Sequence, residues 1–298
     1  MICQTCGEQV DPHGSCYRCG TPAGQPPVWP TVPTHTVTGV GTAACVLVAA
    51  VAAADVLVSV IVPLVNRGLA RRAMETLDVG PLNAAGLLEL SAAALHLALL
   101  IAAAVVFIVW MWRAHKNLYA FPGVMPRMRA GWSIGGWFIP LANLVIPALV
   151  MNDIAKGSLP WVPMRTRTYP LVGFWWAAFV ISSCASGLAT SFDNQEAAEL
   201  PMELAGPGDF QRYVDYYGST VGRYLIGTVV LSAAAVLAII LILRISRAQT
   251  ARIARGYQLG RVTYAPGTPP PGPAAPAAAP ETPAPGPGTP AGGPGTPS

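Results

Sequence analysis

Apolar residues along this chain gather into five long runs separated by short polar stretches. The first, about Gly39 to Val65, is rich in Ala and Val and carries one charge, Asp55. The second, about Leu87 to Trp112, contains His96 and ends Trp110-Met111-Trp112-Arg113, the aromatic-then-cation order of a membrane interface. The third covers 132–151 and is broken by Pro140 and Pro147, with Asn143 between them. The fourth and fifth cover about 169–192 and 221–243. About 20 apolar residues are enough to cross the hydrocarbon layer as a helix. The pattern therefore predicts an all-α fold, a polytopic transmembrane helical bundle with four or five crossings.

The polar stretches refine that picture. Pro63 is expected to kink or end the first span. Residues 66–86 place Arg67, Arg71, Arg72, Glu75 and Asp78 among Leu69, Ala73, Met74 and Leu77 at helical spacing, with Gly80-Pro81 as the stop. Small residues four apart in the fourth span, Ser182 with Ser186 and Ser183 with Gly187, offer a face for close helix packing, or only a generic apolar helix. Residues 193–220 are acidic. After the fifth span, Arg244, Arg247, Arg252 and Arg255 fall within an arc of about 140° on a continuing helix. That face suits anionic lipid headgroups, and it equally serves as a stop-transfer anchor needing no particular lipid. The membrane domain is thus 39–255. Residues 256–298 read as a disordered Pro/Ala/Gly-rich tail: from Pro266 onward 13 of 33 residues are Pro and the only charged side chain is Glu281.

Ahead of the spans lies a different kind of segment. Residues 1–20 hold Cys3, Cys6, Cys16 and Cys19 in the spacing C-x2-C-x9-C-x2-C, and a glycine follows each pair (Gly7, Gly20). Each C-x2-C turn sets two sulfurs on one side of a tight loop, and two such turns supply the tetrahedron that a structural Zn2+ takes. Four Cys fill the shell, which leaves His13 as a loop residue and no open position for catalysis. The alternative is two disulfides in an extracellular segment. Zinc is favoured because so short a segment has little else to fold around. One Arg (Arg18) against Glu8 and Asp11 gives this zinc ribbon no basic footprint for nucleic acid. Residues 21–38 form a Pro-rich linker, and Trp29 within it is expected near the membrane interface.

Composition agrees with the membrane class. Charged residues make up 11% of the chain, against about 25% in soluble domains. Arg outnumbers Lys 16 to 2, with abundant Ala, Gly and Pro, which points to a bacterial source with a GC-rich genome. The opening residues have no basic and apolar leader pattern, so membrane entry is expected from the internal spans.

Cationic residues concentrate in cytoplasmic loops, and their count bears on topology. If all five runs cross with the N-terminus inside, seven Lys/Arg lie inside and eleven outside. Reversing that orientation puts the four cysteines in an oxidising compartment. If 132–151 enters the membrane without crossing, thirteen lie inside and five outside. The favoured reading is a re-entrant or interfacial third segment in a multi-pass cell-membrane protein with a cytoplasmic N-terminus.

Three stretches resemble a known family. Arg113-Ala114-His115-Lys116-Asn117-Leu118, the run Gly131-Trp132-Ser133-Ile134-Gly135-Gly136-Trp137-Phe138-Ile139-Pro140-Leu141-Ala142-Asn143-Leu144 followed by Pro147, and Trp175-Trp176 are similar to the signature of the bacterial domain of unknown function family 4328. The likeness covers about 40–250, and an N-terminal zinc ribbon is a common companion. The chain departs from the pattern after Met151, where Asn152 to Ser158 replace an acidic-basic-Trp stretch. The resemblance implies a multi-span membrane domain and no particular chemistry.

Asp55 and His96 are the ionisable residues deepest in the spans, at similar depth if the first two spans are antiparallel. They could pair, serve a proton path, or make only a structural contact. No metalloprotease, phosphate-loop or nucleophile-elbow pattern is present. Cys45 and Cys184 read as apolar helix residues. Two functions follow as expectations. One is a non-enzymatic membrane protein whose cytoplasmic zinc ribbon docks or regulates a protein partner. The other is a small transporter or channel-like homo-oligomer using Asp55, His96 and the broken segment around Pro140.

Overall fold

The computed structural model describes residues 1–159 and 169–263. Helices dominate, and among the described residues β pairing is limited to two isolated bridges, Ile2 with Gln9 and Ser15 with Pro22. The elements are α1 (Thr38–Val56), a π-helical stretch (Leu57–Ile61), α2 (Val62–Thr76), α3 (Gly80–Leu118), α4 (Trp132–Gly135), α5 (Pro140–Asn143), α6 (Ile146–Ser158), α7 (Pro170–Ala198) and α8 (Pro207–Thr263).

Four rods are long and apolar enough to cross a membrane: Thr38–Thr76, Gly80–Leu118, Pro170–Ala198 and the helix starting at Pro207. Large apolar side chains cover their outer faces, with Leu90 at 68%, Phe174 at 67% and Ile226 at 68% exposure. Water would penalise so extensive an apolar surface, and lipid matches it. The chain is a multi-pass integral membrane protein.

Neighbouring rods run antiparallel. Gly41 of α1 lies against Trp110 of α3, while Asn66 of α2 reaches Ala85 near the start of α3. Ser186 and Asp193 of α7 meet Gly227 and Arg223 of α8. Two ends result. The basal end holds the N-terminal module, residues 119–159 and the C-terminal part of α8. The distal end holds the α2–α3 and α7–α8 connections. Most large, fully buried side chains, among them Trp110, Met111, Met151, Ile154, Leu241 and Ile245, lie in the basal half. A smaller cluster of Ala70, Ala85, Val214, Tyr216 and Tyr217 closes the distal end.

Several boundaries differ from those expected. Pro63 does not end the first span. The chain widens into the π-helical stretch just before it, where the Val62 N–H bonds Leu57 O five residues back, so the ring fits without breaking the rod. The polar 66–86 stretch is therefore mostly helix, interrupted only at 77–79, and Pro81 opens α3 instead of stopping its predecessor. The acidic stretch also shrinks to a loop at 199–206 between α7 and α8. Residues 256–263, assigned to the tail, continue α8. The rest of the expected tail, 264–298, lies outside the described residues. Segment 132–151 forms neither one crossing helix nor one hairpin. It breaks into α4, α5 and the start of α6, and α6 at 13 residues reaches only about 20 Å, short of the hydrocarbon thickness.

Candidate metal centre and polar chamber

The four cysteine sulfurs converge. All ligand atoms of Cys3, Cys6, Cys16 and Cys19 lie within 4.8 Å of one another, and none is in a disulfide. The Cys3–Cys19 and Cys6–Cys16 sulfurs are each 3.5 Å apart. A tetrahedron with zinc–sulfur bonds of 2.3 Å has edges of about 3.8 Å, so the donor set fits a four-coordinate soft metal. Each knuckle closes on its glycine: Gly7 N–H donates to Cys3 O and Gly20 N–H to Cys16 O, with φ of +78° and +71°. Burial pushes the Cys6 and Cys19 thiols up. Burial also opposes the Cys3 thiolate, but the Cys6 and Thr5 N–H groups outweigh it and lower its pKa. His13 stays outside the cluster on an exposed turn, its N–H bonded to Asp11 Oδ1.

This module sits against the basal end of the bundle. Arg252 of α8, only 4% exposed, donates from Nε to Pro27 O at 2.8 Å and from Nη2 to Thr21 Oγ1 and Pro122 O. Its guanidinium lies 4.3 Å from the Phe121 ring centre. Gly123, at φ +79°, brings its backbone against Gly20 O, where any Cβ would collide. Trp29 donates its N–H to Ala120 O, so it serves this joint.

One turn away lies a fully paired polar knot. Asn117 accepts from His35 N–H at 2.7 Å and donates to His35 O and Gln249 Oε1. Gln249 donates to Ala114 O and Ser158 Oγ. The knot joins linker, α3, α6 and α8 with no free polar group on either amide. Arg113 adds a bond to Thr36 O.

The remaining signature residues build the broken segment. Trp137 meets Phe107, Trp176 and Phe179 edge-on, and Trp175 packs on Phe107 and Trp176. Trp176 Nε1 donates to Leu144 O, covering a carbonyl freed by the break. Gly131 and Gly135 flank α4, Pro140 starts α5 and Pro147 starts α6. Trp132, Phe138 and Leu141 point outward, with Phe138 at 74% and Leu141 at 83% exposure. Asn143 Oδ1 is buried with no partner among the described residues.

The distal half contains a polar chamber of about 270 Å3 between the rods. Asp55 and His96 both line it, joined there by Asn66, Glu89, Asp193 and Tyr216. No hydrogen bond or ion pair links Asp55 to His96 among the described residues, so the two share a space without pairing. Asn66 is fully buried and donates to Ala85 O, but its Oδ1 has no partner, nor has Asp55 Oδ2. Arg223 bonds Asp193 at 2.8 Å and also pairs with Glu196, while the Tyr216 hydroxyl donates to the other oxygen of Asp193. Of the two small-residue rows on α7, Ser182 is buried and Ser186 faces Gly227, whereas Ser183 and Gly187 face outward. No residue of 131–147 lines the chamber, so the broken segment and the Asp55–His96 region are separate features.

Sequence reasoning did not single out Glu89, Asn66, His35 or Gln249. Glu89 is a carboxylate inside an apolar run and was findable on that ground. The others act only through partners 19 to 135 residues away, Ala85 for Asn66, Asn117 for His35, and Ala114, Asn117 and Ser158 for Gln249.

A family model described as Domain of unknown function (DUF4328) matches residues 75–247. No curated protein and no solved structure matches the chain.

Proposed function

The chain belongs to the Domain of unknown function (DUF4328) family, and we propose that this member is a non-enzymatic integral membrane protein of the cell membrane. Its four-cysteine module is a cytoplasmic zinc ribbon that docks or regulates a protein partner. The clamp formed by Arg252 carries the reading: it holds the module at a fixed place on the bundle. The outer face of the module presents Ile2 and Tyr17, 69% and 77% exposed, an apolar pair suited to a protein contact. With four crossings, ten of the fifteen Lys and Arg side chains among the described residues fall on the basal side, which supports a cytoplasmic basal end.

Two measurements test this. Metal analysis of purified full-length protein should give one zinc per chain, lost in Cys3→Ser. A photo-crosslinker at Tyr17 should capture a discrete partner that disappears with Cys3→Ser or Ile2→Asp. Absence of metal, or crosslinks indifferent to both changes, overturns the reading. Orientation is tested by Met125→Cys and Met202→Cys, exposed at the basal and distal ends. An impermeant thiol reagent should label only Met202→Cys in intact cells, and the reverse pattern refutes a cytoplasmic basal end.

The chamber favours a second reading, a small transporter or channel-like oligomer. Ionisable side chains within spans mark ion or proton paths in many membrane proteins, and Asp55 Oδ2 and Asn66 Oδ1 have partner sites to offer. Proteoliposome flux abolished by Asp55→Asn would select it over the first reading.

A further inference from the structure

We propose that the cavity between the four-cysteine module and α8 binds a phosphate-bearing polyanion. The cavity has a volume of about 610 Å3. Arg244, Arg247, Arg252 and Arg255 line it from α8 and Lys156 from α6. Thr5 and Cys19 of the module form the facing wall. The lining includes no Asp or Glu among the described residues.

Three of these cations, Arg244, Arg247 and Arg255, are exposed and have no partner among the described residues. Arg252 is engaged with the linker and also faces the cysteine cluster, whose four thiolates around a divalent metal would carry a net charge of about −2. Three like charges gathered around one hollow repel one another, and an anion between them turns that cost into attraction. The planar guanidinium fork matches phosphate oxygens in pairs. The volume falls in the range of about 300–1,000 Å3 typical of organic-ligand pockets and far exceeds one inorganic phosphate. The apolar run of α8 ends at Leu243 and Arg244 follows it, so the hollow lies at headgroup level. An anionic lipid headgroup or a soluble organic phosphate would present the same chemistry there. The site needs no protein partner for the module, so it can fail or stand separately from the proposed function.

The test uses full-length protein in neutral detergent. Native mass spectrometry with added phosphatidylglycerol or cardiolipin forms one arm, and calorimetry with pyrophosphate the other. Saturable binding in either arm should weaken at least tenfold in the triple variant R244Q/R247Q/R255Q. It should be unchanged in R71Q/R72Q/R212Q, which removes equal charge at the distal end. Binding of lipid alone identifies a headgroup, and displacement of lipid by pyrophosphate identifies a soluble phosphate. A measurement on the unaltered protein guards against misfolded variants: bound anion should protect Arg244, Arg247 and Arg255, but not Arg212, from phenylglyoxal. Binding no stronger than that of phosphatidylcholine, equal loss in both triple variants, or no protection overturns the proposal.

Discussion

The polar knot at the basal end of the bundle and the polar chamber at its distal end satisfy their buried groups to different degrees. At the basal end, Asn117 and Gln249 are buried and fully partnered, and Arg252 is spread over three oxygens and an aromatic face. At the distal end, Asn66 and Asp55 keep an unpartnered oxygen inside a chamber, and Asp193 relies on a ring of neighbours to balance it. A buried polar network stabilises only when each member is satisfied. The Asn117–Gln249 knot and the Arg252 grip therefore act as a fastening, while the distal chamber keeps open acceptors; the contrast is between these two clusters, since His115 and Asn143 at the basal end also hold buried polar atoms with no partner among the described residues. The core supports the same contrast, since the large buried side chains lie basally while the distal cluster is small.

Removing the metal proposed for the four-cysteine module should separate the ends most sharply. Structural zinc supplies about 10 kcal/mol or more of folding free energy to small modules. Cys16→Ser, or chelation, is expected to unfold residues 1–20 and open the linker to protease. The thiol reactivity of Cys184, far from the module, should stay unchanged; a parallel rise there would show that the bundle depends on the ribbon throughout.

Two arginines at opposite ends of α8, Arg252 and Arg223, give the next comparison. Arg252→Ala should loosen the module by about 3 kcal/mol, because three bonds to a buried charged donor are lost. Proteolysis in 21–36 would then accelerate by about a hundredfold. Arg223→Ala should cost about 2 kcal/mol through the stranded Asp193 and leave linker proteolysis alone. Equal effects on the linker would erase the distinction between the ends.

Asn117→Ala comes third. It strips partners from His35 and Gln249 and should lower bundle stability by about 2 kcal/mol, read as a fall in thermal unfolding temperature of the purified protein. Asp55→Asn should show the smallest effect, within about 0.5 kcal/mol and without loss of fold, since no bond to its Oδ2 is broken. A large destabilisation would mean the chamber is a structural joint after all.

Much of this architecture was legible from the chain. Apolar length exposed five runs, four of which are the rods, and cysteine spacing with Gly7 and Gly20 located the four-cysteine cluster, because both depend on residues close in sequence. The three short helices of 132–151 could be anticipated from Pro140 and Pro147 only as a break, since their seat against Phe107 and Trp176 is tertiary. Pro63 did not end the first span because a π-helical turn can absorb a proline that an α-helical turn cannot. The Asn117–Gln249 knot and the grip of Arg252 on Thr21 join residues separated by 132 and 231 positions, beyond any local pattern. Depth alone brought Asp55 and His96 into one neighbourhood, but whether they touch depends on side-chain direction.

Arg223 and Arg252 belong to one helix that runs unbroken from Pro207 to Thr263. The 29 helical steps from one to the other correspond to about 44 Å of stiff rod. Such a rod behaves as a crankshaft: a turn imposed at one end arrives at the other undiminished in angle. Adding a single residue within 229–240 would swing Arg252 by about 100° relative to Arg223, detaching the module while every side chain at the distal end kept its neighbours. Phase along α8, as much as the identity of any residue on it, therefore fixes how the two ends of the molecule address each other.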